Sequence, residues 1–276
     1  MFTTRLISGI VLVAAALVVV ITGGPLLFAV NCAISFIGLF EFYRVLGIEK
    51  NAVGVAGYLS AAAYFGILWF GGQQYVEFVI ILTVMLLMTI YVVTFPAYKT
   101  DQVTGAVFGV LYVPVMLSYL YQTRTMPDGA YLVWLIFLSS WGCDTCAYCT
   151  GMLFGKHRLA PVLSPKKSVE GAVGGVVGAA LLGLIYGAVF GGHMLEVENP
   201  MFSCALACAI AAVISQIGDL AASAVKRNHN VKDYGHLIPG HGGILDRFDS
   251  MIFTAPAIFF AVNFIAVNIL QGGPVS

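Results

Sequence analysis

Apolar residues run in stretches of about 20 along almost the whole chain, each long enough to cross a hydrocarbon core of about 30 Å as a helix. Short polar connections separate them. The stretches are centred in residues 5–21, 25–43, 52–70, 76–95, 102–121, 130–150, 171–190, 201–225 and 251–270. This pattern predicts an all-α polytopic membrane helical bundle of about nine transmembrane helices. It is read as a single integral membrane domain over residues 1–276, with bundle-forming helices in 1–130 and the chemistry in 131–276. The first stretch, behind Arg5, has the outline of a signal peptide. It runs long for one and leads into more membrane, so a retained first helix is expected.

The loops set an orientation. With nine spans, the N-terminus and the loops after the second, fourth, sixth and eighth helices share one side. That side holds Arg5, Arg44, Lys50, Lys99, Lys156, Arg158, Lys166, Lys167, Lys226, Arg227, Lys232 and Arg247, whereas the other holds only Arg124. The positive-inside bias puts the N-terminus and the charged loops in the cytoplasm and the C-terminus outside.

Composition agrees with a membrane protein: 60% of residues are hydrophobic, 9% are charged, and mean hydropathy is +0.94. No sizeable soluble domain fits in the remainder. Formal net charge is zero, so charge placement is the informative quantity, and nothing in it calls for a nucleic-acid partner. Charge concentrates in residues 215–250, which carry Asp219, Lys226, Arg227, Lys232, Asp233, Asp246, Arg247 and Asp249. Ionisable groups at a membrane boundary are costly to keep and mark function.

The first half is bland, with scattered polar residues (Asn31, Glu41, Glu77); Glu41 and Arg44 lie one turn apart and are expected to pair or snorkel. Small residues in 171–183 permit close helix packing, and glycine-rich faces admit a homodimer without fixing an interface. Cys143, Cys146 and Cys149 form a C-x-x-C-x-x-C series. They drift around one helix without a fourth soft ligand nearby, so packing is expected rather than a thiolate metal site.

Three cytoplasmic patches carry the candidate chemistry. In the first, Asp144 lies just inside a helix end, followed by Lys156, His157, Arg158 and an SPKKS segment. Pro165 stiffens that segment, Ser168 caps the seventh helix, and Lys166 and Lys167 stand at a helix N-terminus that favours anions. In the second, Asp219, Ser223 and Lys226 share one helical face, with the acid roughly 10 Å deeper at a rise of 1.5 Å per residue. In the third, Gly242 and Gly243 precede Asp246 and Asp249, which lie on one face beside Arg247. Carboxylate oxygens from neighbouring helices suit a hard cation such as Mg²⁺, and the lysines and arginines suit phosphates.

The run S-x-V-K-R-x-x-x-x-K-D-x-G-x-x-I-P-x-H-G-G-I-x-D-R-F-D from Ser223 to Asp249 resembles the signature of phosphatidate cytidylyltransferases, the CDP-diacylglycerol synthases. D-x-x-A-Y, F-G-K-H and S-P-K-K-S-x-E-G between Asp144 and Gly171 resemble the same family, as does Q-x-G-D-L at Gln216 to Leu220. The likeness covers the second half with specific motifs. It implies that CTP and phosphatidic acid give CDP-diacylglycerol and pyrophosphate, with Mg²⁺ and a monovalent cation such as K⁺ at the metal site. It further implies an enzyme of the bacterial inner membrane with a cytoplasm-facing site.

On that reading Asp219 and Asp246 hold the metal, with Asp249 a further ligand or partner. Lys226, Arg227 and Arg247 hold phosphates, and Lys166 and Lys167 grip the triphosphate or the lipid head group. Asp144 lines the cavity, His241 with Gly242 and Gly243 shapes the turn, and Ser164, Ser223 and Lys232 complete the substrate contacts. Two other readings share these residues: a membrane lipid or polyprenol kinase, and an ion-coupled transporter using Asp144, Asp219 and Asp246.

Overall fold

Helices occupy all nine apolar stretches. The structure, a computed structural model, describes residues 2–238 and 242–271. Its long helices are α1 Phe2–Thr22, α2 Gly24–Leu46, α3 Ala52–Trp69, α4 Val76–Val93, α5 Thr100–Thr125, α6 Gly129–Phe154, α7 Val169–Phe190, α8 Pro200–Asn228 and α9 Leu245–Gln271. Helical bonding satisfies the backbone within each segment, which lipid requires. Among the described residues, seven helices, α2 to α8, are long and apolar enough to cross a membrane, and α1 adds the shorter apolar run Gly9–Thr22. Phe78, Ile81, Met85, Val92 and Val93 of α4 lie exposed along one helix, an apolar surface suited to lipid and unsuited to water.

The small-residue series of α7 is used inside the chain. Gly171, Gly175, Ala179, Gly183 and Gly187 recur every four residues and are buried. A methyl group at position 183 would lie 2.5 Å from the Cys204 carbonyl oxygen of α8, so the bare stripe is what lets the two backbones approach. Across the same stripe, Cys143 of α6 is buried and its Sγ accepts a hydrogen bond from Gln216 of α8 at 3.5 Å. Cys146 is half-buried and Cys149 exposed.

Among the described residues, the two largest of four apolar cores hold most of the bundle. One joins α6, α8 and α9 through Leu135, Ile136, Ala207, Ala211, Met251 and Ala255. The other joins α2, α3 and α5 to the far end of the chain, with Leu39, Phe42, Tyr43 and Val113 packed with Tyr234, Leu245 and Ile252. This second core ties the bland first half to the segment between α8 and α9.

Two helices widen by a residue. The turn Leu111–Val115 in α5 and the turn Leu138–Gly142 in α6 have i→i+5 bonding. Pro114 explains the first, because its ring excludes the normal bond to the preceding turn. Such π-turns recur at functional sites, and the second lies just ahead of Asp144.

The all-α expectation needs one addition. The SPKKS segment is a strand, not only a stiff loop: β1 Arg158–Ala160 and β2 Ser164–Ser168 form an antiparallel hairpin, pairing Arg158 with Ser168 and Ala160 with Ser164. Arg158 closes it by donating to the Pro165 carbonyl at 2.7 Å. Strands this short and polar carry no alternation that separates them from a loop. Ser168 caps α7 as its position predicts, accepting from the Gly171 amide at 3.1 Å.

Candidate active site

Asp246, at the start of α9, organises the segment that precedes it. Its side chain is 2% exposed. Oδ2 accepts from the backbone amides of Tyr234 at 2.8 Å, Gly243 at 3.0 Å and Gly235 at 3.4 Å, while Oδ1 pairs with Lys226 Nζ of α8 at 2.9 Å. One carboxylate therefore ties residues 234–243 to both flanking helices. Tyr234 fills the space beneath: its hydroxyl donates to the Ala222 carbonyl at 3.1 Å and its ring lies 5.3 Å from Lys226 Nζ. Burial pushes its phenol well above the ordinary pKa, so it stays neutral.

Glu41 does not form the expected ion pair with Arg44. Buried in α2, it accepts from the amides of Ile244 at 3.1 Å and Leu245 at 2.8 Å, capping α9 from 203 residues away in sequence. Arg44 donates to the Tyr234 carbonyl oxygen. Free amides at a helix start attract a carboxylate more strongly than a solvated arginine does, which explains the choice. A methyl group at Gly235 would stand 2.0 Å from Glu41 Oε1, and one at Gly243 would stand 2.4 Å from both oxygens. These two glycines are required by close approach. The first half thus supplies anchors that the sequence reading passed over; their only signal was an acid and a base near a helix end.

The remaining acids face one another. Asp144, Asp219 and Asp249 interact electrostatically, and Lys167 and Arg247 act on Asp144. Lys167 of β2 pairs with Asp219 of α8. Lys166 points elsewhere, because successive strand residues face opposite sides. It joins Ser164, Ser223, Lys226, Arg227 and Lys232 around a cationic pocket of about 230 Å³. The expected lysine pair is therefore split, with one lysine serving each side of the hairpin.

A second, larger cavity of about 440 Å³ runs from the bundle to the acids. Leu12, Val13, Ala16 and Val20 of α1 and Leu27 and Ile34 of α2 line its apolar end; Asp144, Asp246, Arg247 and Asp249 line the other. The Lys226–Asp246 pair joins the two spaces, since Lys226 lines the cationic pocket and Asp246 the amphipathic cavity. His241 lies outside the described residues; Gly242 has φ +86° and its neighbour Gly243 bonds Asp246.

The donor set suits a hard cation. Four acids (Asp144, Asp219, Asp246, Asp249) stand near three cations (Lys167, Lys226, Arg247). Among the described residues no group of three or more His, Cys, Asp or Glu is closed around a metal position. Mg²⁺ typically takes one or two carboxylates and completes its shell with water and substrate phosphates, so an open carboxylate set fits it better than it fits zinc. Asp246 Oδ1 retains a lone pair beside Lys226.

Comparison with known proteins shows the family. Residues 3–265 match the model of the cytidylyltransferase family. The phosphatidate cytidylyltransferase of Staphylococcus saprophyticus is 31% identical over 261 residues, covering 92% of this chain and 96% of that protein. That of Bacillus subtilis is 30% identical over 269 residues, covering 93% and 96%. An integral membrane chain that gathers acids and phosphate-suited cations at one end of its bundle, and aligns with these enzymes almost end to end, belongs to the cytidylyltransferase family.

Proposed function

We infer that this protein is a CTP:phosphatidate cytidylyltransferase, a nucleotidyltransferase of phospholipid biosynthesis that makes CDP-diacylglycerol and pyrophosphate. The observation that carries the reading is the contact between two unlike spaces at the Lys226–Asp246 pair: a cationic pocket on one side and an apolar-to-acidic cavity on the other. The cavity suits phosphatidate, with acyl chain against α1 and α2 and head group toward Arg247. The pocket suits the CTP phosphates, held by Ser164, Lys166, Ser223, Arg227 and Lys232.

In the reaction a phosphate oxygen of the lipid attacks the α-phosphorus of CTP, the bond from that phosphorus to the bridging oxygen breaks, and pyrophosphate leaves. Both partners are anions, so fixed cations are needed to bring them together and to stabilise charge on the leaving group. Lys226 stands between the two spaces and meets both phosphates. Lys167 and Arg247 offset the acids as the lipid head group enters, and Asp144 lines its path. When bound, Mg²⁺ held by Asp219, Asp249 and the open side of Asp246, with K⁺ as a companion, supplies further charge neutralisation on the triphosphate. Gly242 and Gly243 shape the turn that carries α9 to the nucleotide.

All nine helices span the membrane on this reading, with the N-terminus and the site cytoplasmic and the C-terminus outside, in a bacterial inner membrane. The twelve-to-one division of basic residues supports that orientation. Any homodimer forms through faces other than the α7 stripe.

The direct test incubates purified protein with CTP, phosphatidate and Mg²⁺ and assays both products. Folded protein that yields neither CDP-lipid nor pyrophosphate would sink the assignment, and release of a nucleoside diphosphate would identify a kinase instead. The pocket assignment has its own test. Arg227→Ala should raise KM for CTP about tenfold, the cost of one charge-assisted hydrogen bond, and leave KM for phosphatidate within about twofold. A rise confined to phosphatidate would reverse the two sites.

A further inference from the structure

The amphipathic cavity has a packed end. Val20 of α1, Leu27 of α2, Leu120 of α5 and Phe137 of α6 line it, and all four are buried members of one apolar core. Hydrogen bonds between helices fix this end in place. Arg124, set apart from the other basic residues along the chain, donates to the carbonyl oxygens of Val20 at 3.1 Å and Ile21 at 3.4 Å. A methyl group at Gly23 would lie 2.9 Å from its guanidinium, so the turn after α1 leaves room for this tie. Asn31 of α2 donates to the Leu117 carbonyl of α5 at 3.0 Å, joining two helices of the cavity wall.

Along α1 the lining runs from Gly9 to Val20, roughly 16 Å at a rise of 1.5 Å per residue. That is close to half of a hydrocarbon core of about 30 Å, the depth of one leaflet. A volume of about 440 Å³ lies at the lower end for sites that bury one small ligand, which suits one acyl chain and not two. Leu17, Val18 and Ile21 of α1 are exposed, a surface that leaves the second chain in lipid.

We propose that this cavity measures one acyl chain of phosphatidate, with Leu120 and Phe137 as its floor and Ala16 of α1 partway down its wall. The identity of the lipid rests on the transferase reading above. Length is read by fit and not by hydrophobicity, because lipid tails are as apolar as leucine and a chain gains little by leaving them. A chain that ends above the floor is accommodated, whereas a longer one must overpack the core or buckle.

The test gives full-length protein in detergent micelles a set of phosphatidates in which one chain is held constant and the other lengthened two carbons at a time. The sn-1 and sn-2 chains are varied in separate series. Both kcat/KM for CDP-lipid synthesis and the shift of the thermal unfolding midpoint by each lipid are recorded. In one series kcat/KM should stay level and then fall about tenfold, the discrimination of a tight apolar pocket, and the midpoint shift should shrink at the same length. The series that falls identifies the chain held; a fall in both overturns the single-chain assignment. Leu120→Ala opens the floor and should move the fall to chains about two carbons longer. Ala16→Leu should move it to shorter chains, and it keeps the test decisive where Leu120→Ala fails to fold. Each protein is judged by ratios among its own lipids, so partial loss of folded material cancels. Synthesis with no fall in either series, or with a fall that neither folded variant moves, overturns the proposal and leaves the transferase reading intact. No synthesis at any length overturns that reading, and the midpoint series alone then upholds or overturns the length limit.

Discussion

Asp246→Asn should abolish CDP-diacylglycerol synthesis and also lower the unfolding midpoint by several degrees, whereas Asp249→Asn should abolish synthesis with the midpoint unchanged or raised. The contrast comes from what each carboxylate holds. Asp246 accepts from three loop amides and pairs with buried Lys226. An asparagine must turn its NH₂ toward either the amides or the ammonium, and breaking a buried pair from one side costs about 3–5 kcal/mol. Among the described residues Asp249 accepts only the adjacent Ser250 amide, at 2.8 Å, and it faces Asp219 and Asp144. Neutralising it relieves repulsion but removes a hard oxygen donor. Pyrophosphate release and thermal unfolding on the same preparations check both halves. Near-normal turnover in Asp249→Asn would remove it from the metal set. A stable but inactive Asp246→Asn would mean that metal binding, not loop anchoring, is its main task.

The second large effect is expected far from the motifs. Glu41→Gln should cut kcat about 100-fold, the penalty of a displacement of about 1 Å in a catalytic constellation, although Glu41 sits in α2. Its two oxygens cap α9 at Ile244 and Leu245, and an amide there opposes one backbone N–H with another donor. The start of α9 then loosens, and with it Asp246, Arg247 and Asp249. KM for CTP should move much less, since Arg227 and Lys232 sit on the other side of the Lys226–Asp246 pair. Trypsin should also cut faster near Lys232, which is exposed in the anchored loop. Wild-type kcat with unchanged cleavage would show that α2 does not hold the site.

The two halves of the chain differ in how readable they were. Helices were legible throughout, because runs of about 20 apolar residues have few other solutions in lipid. Ser168 as a cap and the α7 glycines as a packing stripe were legible for the same reason: both act within a few residues or along one face. The motif residues were legible as chemistry, but their partners were not. Lys166 and Lys167 read as one cationic pair until β2 separated them. Glu41 read as a neighbour of Arg44 until α9 presented it with two free amides.

What the sequence alone determined is the helical membrane architecture, the clustering of charge at its polar ends and, through motif spacing, the cytidylyltransferase family. Those properties are local, set by hydropathy, period and short-range order. The tertiary structure decided which acid meets which cation: Lys226 with Asp246, Lys167 with Asp219, Glu41 with the start of α9. It also brought an apolar cavity and a cationic pocket to either side of one ion pair. Such pairings depend on which helices become neighbours, and desolvated charges and amides take the nearest partner that packing allows, however distant it is along the chain.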